Sequence, residues 1–268
     1  MKEFLHNTWK HRAHVIMSLP AVLILFFFSY VPMAGLVLAF KNFDYKAGLW
    51  KSPWYGLENF KFLVASKATF INLTKNTLFY YVLFTAIGTV LEIILAIAID
   101  QLVFKKLGKV MQSIMIIPVF ISFTAVQFIV YAYLSSDTGM VNNLFGLSTR
   151  WYMEAKYWPA ILTIVKIWNG VGYGSVLYMS VLAGIDTQLY EAAEIDGAGF
   201  FAKFFKITLP LLRPILVYVI ITSLIGGLQL FDVPQILTNG TGDPMRSTMT
   251  LIMYLNKHLF SKNYGMAG

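Results

Sequence analysis

Residues 190–210 read YEAAEIDGAGFFAKFFKITLP. Three carboxylates and two lysines are gathered here, between apolar runs at 160–183 and 211–230. The local pattern predicts two short helices with a break. Asp186 precedes the first and can cap it by accepting a backbone N–H. At 100° per residue, Leu189, Ala192 and Ala193 share one face and Glu191, Glu194 and Ile195 the opposite one. Gly197 and Gly199 supply the backbone freedom a sharp turn needs. In the second helix Phe200, Phe204 and Ile207 lie on one side, widened by Phe201 and Phe205, with Lys203 and Lys206 on the remaining edge. This is the pattern of an interfacial helix whose lysines reach toward headgroups and water. Pro210 would then open the next span, where a missing N–H does no harm. The residues alone leave two readings of the loop: a solvated interfacial connection, or a docking element for a soluble partner.

The surrounding composition sets the solvent. Of 268 residues, 57% are hydrophobic and 13% charged, against about 25% charged in an ordinary soluble domain. Five runs reach the ~20 apolar residues that a bilayer-crossing helix needs: about 15–40, 77–98, 110–134, 160–183 and 211–230. Hydrocarbon cannot hydrogen-bond a bare backbone, so each is expected to be an α-helix. The first run is too long for a signal-peptide core and lacks an A-x-A cleavage site. The expected fold is therefore an all-α polytopic transmembrane helical bundle, one domain over 1–268 with a structured loop at 184–210. The net charge of +8 does not point to nucleic acid, because the basic residues are scattered between apolar runs. There is no cysteine, and the histidines at 6, 11, 14 and 258 show no metal-ligand spacing.

Basic residues orient the chain. Lys2, Lys10, Arg12, then Lys105, Lys106, Lys109, then Lys203, Lys206 and Arg213 fall on one side, in short segments next to span ends. Lys41, Lys46, Lys51, Lys61, Lys67, Lys75, Arg150, Lys156, Arg246, Lys257 and Lys262 fall on the other, in longer segments. Density near span ends places the first set, and the N-terminus, in the cytoplasm. The 13-residue stretch Thr248–Phe260, with Leu251, Ile252, Leu255 and Leu259 on one face, has the length of a re-entrant or interfacial helix. A sixth span is expected to begin in NYGMAG at 263–268.

Few polar groups lie inside the spans. Glu92 and Lys166 are the charged pair of interest, but their depths differ by ~13 Å at 1.5 Å per residue. A direct ion pair is therefore not expected. Lys166 should snorkel outward, and Glu92 should face the bundle interior or a polar cavity. Trp168, Asn169 and Tyr173, beside Gly170, Gly172 and Gly174, combine ring faces with neutral polar groups, and Gln229 and Asp232 close the fifth span. These could line a path for a hydroxyl-rich polar solute; the competing reading is core packing or an interfacial aromatic belt. Asn72-Leu-Thr74 and Asn239-Gly-Thr241 are read as plain outer-loop polarity.

The opening segment resembles the cytoplasmic loop of permease subunits of binding-protein-dependent ABC importers. Their pattern is E-A-A, three residues, G, nine residues, I-x-L-P. Glu191, Ala192, Ala193, Gly197, Ile207, Leu209 and Pro210 match it at every gap. WYGLENF at 54–60, IWNGVGYGSVLYMSVLAGID at 167–186 and FDVPQILTNG at 231–240 resemble the sugar and oligosaccharide branch of the same family. The likeness runs from about the first span to residue 268; the departure is a final span, since such permeases have at least six.

The resemblance implies a prokaryotic plasma-membrane subunit, not an enzyme, whose loop docks in a cleft of a cytoplasmic ATPase. Glu191 would meet a basic group, Ala192 and Ala193 would allow close approach, and Gly197 would permit the turn beside Asp196. The implied partners are a second permease subunit, alike or different, two ATPase subunits, an extracytoplasmic substrate-binding protein, and a sugar or oligosaccharide. ATP and Mg would be bound by the ATPase subunits; this chain has no GxxxxGK[ST] loop and is expected to carry no cofactor or metal. The alternative is an ATP-independent secondary carrier or channel for small polar solutes, which would need no docking helix.

Overall fold

The protein, seen in a computed structural model, is described over residues 10–61, 65–102 and 104–261. Among these the chain is helical apart from connections and one isolated bridge, Lys41 to Trp54. Helices α1 (Arg12–Phe40), α2 (Lys67–Asp100), α3 (Lys105–Phe120), α4 (Phe123–Leu134), α5 (Met140–Phe145), α6 (Trp158–Leu182), α7 (Thr187–Ile195), α8 (Phe200–Leu228), α9 (Asp232–Leu237) and α10 (Leu251–Phe260) follow in order. Four of them, α1, α2, α6 and α8, are long and apolar enough to cross a membrane unaided. The expected further span from 263 onward lies outside the described residues.

The third expected span is not one helix. It divides into α3 and α4, bent by 96° at Ile121–Ser122. The reason is local. Pro118 has no N–H to give, the chain tightens into a 3-10 turn at Ile117–Phe120, and Ile121 goes extended. Ser122 then restarts the helix by accepting the Ala125 N–H at 3.3 Å. A break of this kind at membrane depth needs its backbone satisfied from within the protein. Buried Asn169 of α6 does so, donating its side-chain N–H to the Pro118 carbonyl at 2.7 Å.

The fifth expected span is longer than its apolar run. No separate interfacial helix precedes it: Phe200–Lys203, a π-turn at Phe204–Thr208 and Leu209–Leu228 run on as α8. The π-turn explains the continuity. The Leu209 N–H reaches back five residues to the Phe204 carbonyl, which widens the helix just where the Pro210 ring would clash with the preceding turn. Likewise α2 begins at Lys67, ten residues before the expected Thr77.

The chain resolves into two compact units: Met1–Lys67 with Leu255–Gly268, and Ala68–Tyr254. In the first, α1 buries almost none of its apolar side chains, a surface that hydrocarbon solvates. The segment after it folds on Lys41, which is buried and donates to the carbonyls of Leu49 (3.0 Å) and Trp50 (2.7 Å). Asn59 donates to the carbonyls of Ala39 and Lys41, and Trp54 stacks on Phe40.

In the second unit the long helices pack around two cores, one above the other, besides a small cluster of Leu73, Met249 and Met253. Tyr80, Val126, Trp158, Ile161, Leu162 and Val233 belong to the upper one. Ile93, Ala96, Tyr178, Leu182 and Leu212 form the lower one, next to the 184–199 loop. Close helix approaches occur at glycine. The Gly172 face of α6 abuts the Met115 carbonyl of α3, and Gly174 abuts the Glu92 carboxylate of α2. Beyond α8, Asn76 holds the carbonyls of Arg246 and Met249, and Thr250 Oγ1 donates to the Leu230 carbonyl.

These approaches make a prediction. Gly172→Ala should destabilise the protein by about 1–3 kcal/mol, because the methyl meets a backbone carbonyl that cannot step aside. Gly170→Ala, two residues away with nothing within 4 Å, should be neutral or stabilising by about 0.5–1 kcal/mol. Tryptophan-fluorescence melting in detergent compares them; equal melting temperatures would refute the packing.

Candidate functional site

The 184–210 loop is built by local rules. Asp186 accepts the Gln188 N–H at 2.9 Å and starts α7. At the other end Gly197 sits at φ +78°. Its N–H bonds the Glu194 carbonyl at 2.9 Å, and the Ala198 N–H bonds the Ala193 carbonyl at 2.8 Å. That pair of bonds is a Schellman cap, which asks for a left-handed residue at this position. Gly199, at φ −72°, does not need to be glycine for backbone reasons.

Two contacts hold α7 onto α8. Lys203 pairs with Glu194 at 2.6 Å, and the Tyr190 hydroxyl bonds buried Thr208 Oγ1 at 2.9 Å. Lys203, expected to reach for headgroups, is instead turned to the Glu194 carboxylate, which is itself about two-thirds exposed. Glu194, Tyr190 and Thr208 were missed as positioning residues, since the sequence does not show that the loop folds back. Phe204 packs into the lower core. No residue of α7 is buried. Glu191, Ala192 and Asp196 are exposed and Ala193 is half-buried, as are Ile207 and Leu209; Pro210 is exposed. Ile195 is 88% exposed, so an apolar side chain as well as the acids is presented by this helix.

Between the two cores lies a cavity of about 280 Å³. Tyr81, Thr85, Gly88, Thr89 and Glu92 of α2 line it, with Lys166 and Gly170 of α6 and Ser223, Gly226 and Gly227 of α8. Lys166, expected to snorkel outward, is exposed and also borders this space. Its ammonium and the Glu92 carboxylate do not form an ion pair; Glu92 docks on Gly174, eight residues or ~12 Å farther along α6. The axial offset expected from the sequence is thus present, and both residues line one cavity whose walls are mostly apolar, with Phe84, Ile167, Val171, Val219 and Leu230 among them.

The other proposed path residues are dispersed. Asn169 is buried and engaged by Pro118. Trp168 lines a separate apolar groove of about 520 Å³ with Val126, Ile129, Tyr133 and Ile164. Tyr173, Gln229 and Asp232 are exposed. Of the six, only Glu92 lines the inter-core cavity. Tyr81, Thr85, Thr89 and Ser223 were overlooked, although Tyr81, Thr85, Gly88, Thr89 and Glu92 recur at helical spacing on one face of an apolar span, which was a readable signal.

Residues 88–257 match the model of the family described as "Binding-protein-dependent transport system inner membrane component". The chain belongs to this family. The matched region holds the cavity residues from Gly88 onward and the whole 184–210 loop. Two curated relatives and one solved structure extend the likeness over nearly the full length. The polygalacturonan/rhamnogalacturonan transport system permease protein YteP of Bacillus subtilis is 30% identical over 89% of this chain and 76% of its own. The lactose transport system permease protein LacF of Rhizobium radiobacter is 30% identical over 82% and 70%. A bacterial alginate ABC transporter, crystallised in complex with an alginate pentasaccharide-bound periplasmic protein, superposes with a TM-score of 0.83 at 28% identity, covering 98% of this permease and 88% of that chain. The permease is therefore a multi-pass membrane subunit of a binding-protein-dependent transport system.

The cap geometry predicts a contrast. Gly197→Val places a β-branched residue in the left-handed region, at a cost of about 1–2 kcal/mol. Hydrogen exchange at residues 197 and 198 should quicken about tenfold by that measure. Gly199→Ala should leave exchange unchanged, and equal rates in the two variants would contradict the cap.

Proposed function

We propose that this permease, with a second permease subunit, forms the path by which a sugar or oligosaccharide enters the cell, driven by two cytoplasmic ATPase subunits that bind ATP and Mg. An extracytoplasmic binding protein would deliver the substrate. The N-terminus would lie in the cytoplasm, on the side of the 184–210 loop. Carbohydrate is favoured because the relatives named above are named for polygalacturonan/rhamnogalacturonan and lactose, and the structural neighbour for alginate.

The observation that carries the coupling role is α7 itself. It is a nine-residue helix with no buried residue, capped at both ends and fastened to α8. Exposed loops are ordinarily held less closely. A helix so fixed and so bare is suited to lie in the cleft of another protein. Glu191 and Asp196 would meet basic groups there. Ala192 and Ala193 would let the backbones approach, and Gly197 would turn the chain back. Ile207, Leu209 and Pro210 would root the loop in α8.

Reconstituted uptake tests this reading. In vesicles containing the whole transporter, uptake should require ATP inside, the ATPase subunits and the binding protein. Ala193→Trp should hold α7 off its cleft, and Gly197→Asp should lose the turn. Both should reduce ATP-driven uptake to background while the permease remains inserted in normal amount. Wild-type rates in either variant would remove the coupling role, and uptake without the ATPase would favour a secondary carrier.

A further inference from the structure

The segment after α1 is closed by hydrogen bonds from within, yet most of its large side chains are exposed. The Tyr55 N–H reaches the Phe40 carbonyl at 2.8 Å and the Asn42 N–H the Pro53 carbonyl at 3.0 Å, so the chain returns to the end of the helix it left. Buried Ser52 accepts the Asp44 N–H and donates to the Gly48 carbonyl. With the buried Lys41 ammonium on the Leu49 and Trp50 carbonyls, the middle of the segment is polar and satisfied. The apolar groups are displaced to the outside. Trp50 is 71% exposed, Trp54 67% and Leu57 69%, and Tyr45 and Tyr55 are exposed as well.

The place of the segment says what covers these groups. Helix α1 has 29 residues, more than the ~20 that cross hydrocarbon, so its last turns reach the headgroup layer. Its flank is bare there, with Val31, Met33 and Leu36 exposed. Trp54 continues that flank, because its ring is stacked on Phe40, the last residue of α1, at 5.8 Å between centroids and 7° between planes. An indole, with an apolar body and an N–H tip, is suited to this depth. Lys46 and Lys51 are exposed in the same segment, and ammonium groups on long apolar stems suit lipid phosphates. A soluble partner reaching Trp54 would have to enter the same lipid layer.

We propose that residues 41–60 form a rigid platform in the headgroup layer at the C-terminal end of α1, with Trp50, Trp54, Tyr55 and Leu57 set against the upper acyl chains. The occupant of this surface is lipid. Lys41 makes the segment a platform instead of a tether: its ammonium fixes the turn at 48–51, while Asn59 clamps the far side to the Ala39 and Lys41 carbonyls. The platform resists sliding of α1 in both directions. Inward movement would carry Lys46 and Lys51 toward hydrocarbon, and outward movement would lift the indoles into water. This stands apart from the coupling and sugar readings and needs only that α1 crosses the membrane.

Depth measurement tests it. The chain has no cysteine, so a nitroxide on Leu57→Cys is unique within it once the partner subunits are made cysteine-free. The complete transporter is placed in nanodiscs of phosphatidylcholine and phosphatidylglycerol. The label's relaxation by oxygen, which concentrates in lipid, is compared with that by a water-soluble nickel chelate. The label should lie about 5–10 Å below the phosphates, and so should a second one on Trp50→Cys. Adding the binding protein should leave both depths unchanged. In a Trp50→Ser/Trp54→Ser background the label at 57 should rise toward the phosphates, with assembly checked by size exclusion. Labels at 57 and 50 as open to the chelate as one on a free peptide would overturn the proposal, whether or not the double variant assembles. So would labels that lose chelate access only when the binding protein is added, because the face would then be a protein-docking surface.

Discussion

Hydrocarbon offers no hydrogen bonds, and that single refusal organises the molecule. Wherever a span departs from regular helix, the freed backbone group must be met by the protein itself. The Pro118 carbonyl is the clearest instance. The turn at Ile117–Phe120 leaves it facing α6, and Asn169 answers it at 2.7 Å. An unmet polar group in this position would cost several kcal/mol, so the bond fixes more than one side chain. It sets the height of α3 against α6, and one turn later Gly172 closes on Met115 at that same height. With α6 held there, Lys166 and Gly170 border the cavity that α2 and α8 also wall.

This explains which parts of the fold could be read in advance. The five apolar runs were visible because a bilayer demands a long, continuous signal, and the loop cap was visible because Gly197 and the Asp186 cap obey rules of a few residues' range. The break in the third span was not. Pro118 was in plain view, but proline alone does not distinguish a kinked helix from a broken one; the residue that stabilises the break stands 51 positions away. The fusion of the interfacial segment with the fifth span was hidden for a related reason. Pro210 is an ordinary first-turn residue unless the preceding turn widens, and that widening is a response to packing rather than a property of the residue.

The charges show the same division. Depth along each helix gave the separation of Glu92 and Lys166 correctly, because rise per residue is a property of the chain. It said nothing about direction around the axis, which depends on neighbours. Lys166 borders the cavity while remaining exposed, and Lys203, assigned to the headgroups, pairs with Glu194. Lys41, counted as one more outer charge, is consumed by two backbone carbonyls. Long flexible amines are the residues whose surroundings a sequence reveals least.

The loop and the cavity share a helix, which bears on how one could act on the other. The Glu194–Lys203 pair is largely exposed at the acid, and such pairs contribute only about 0.2–1 kcal/mol; by itself it would slip under load. The stronger connection is apolar. Phe204 of α8 sits in the lower core with Tyr178 and Leu182 of α6, Ile93 and Ala96 of α2 and Leu212, and close-packed cores of this kind shift as blocks rather than deform. Force applied to a docked α7 would reach α8 first, at Thr208 and Phe204, and then α6 and α2 through that core. These are the three helices that wall the cavity, where α8 contributes Ser223, Gly226 and Gly227, the last lying against the Tyr81 ring. A rigid lower half joined to a loosely filled middle concentrates any displacement at the cavity, so the spacing between Lys166 and Ser223 is the dimension most exposed to movement of the loop.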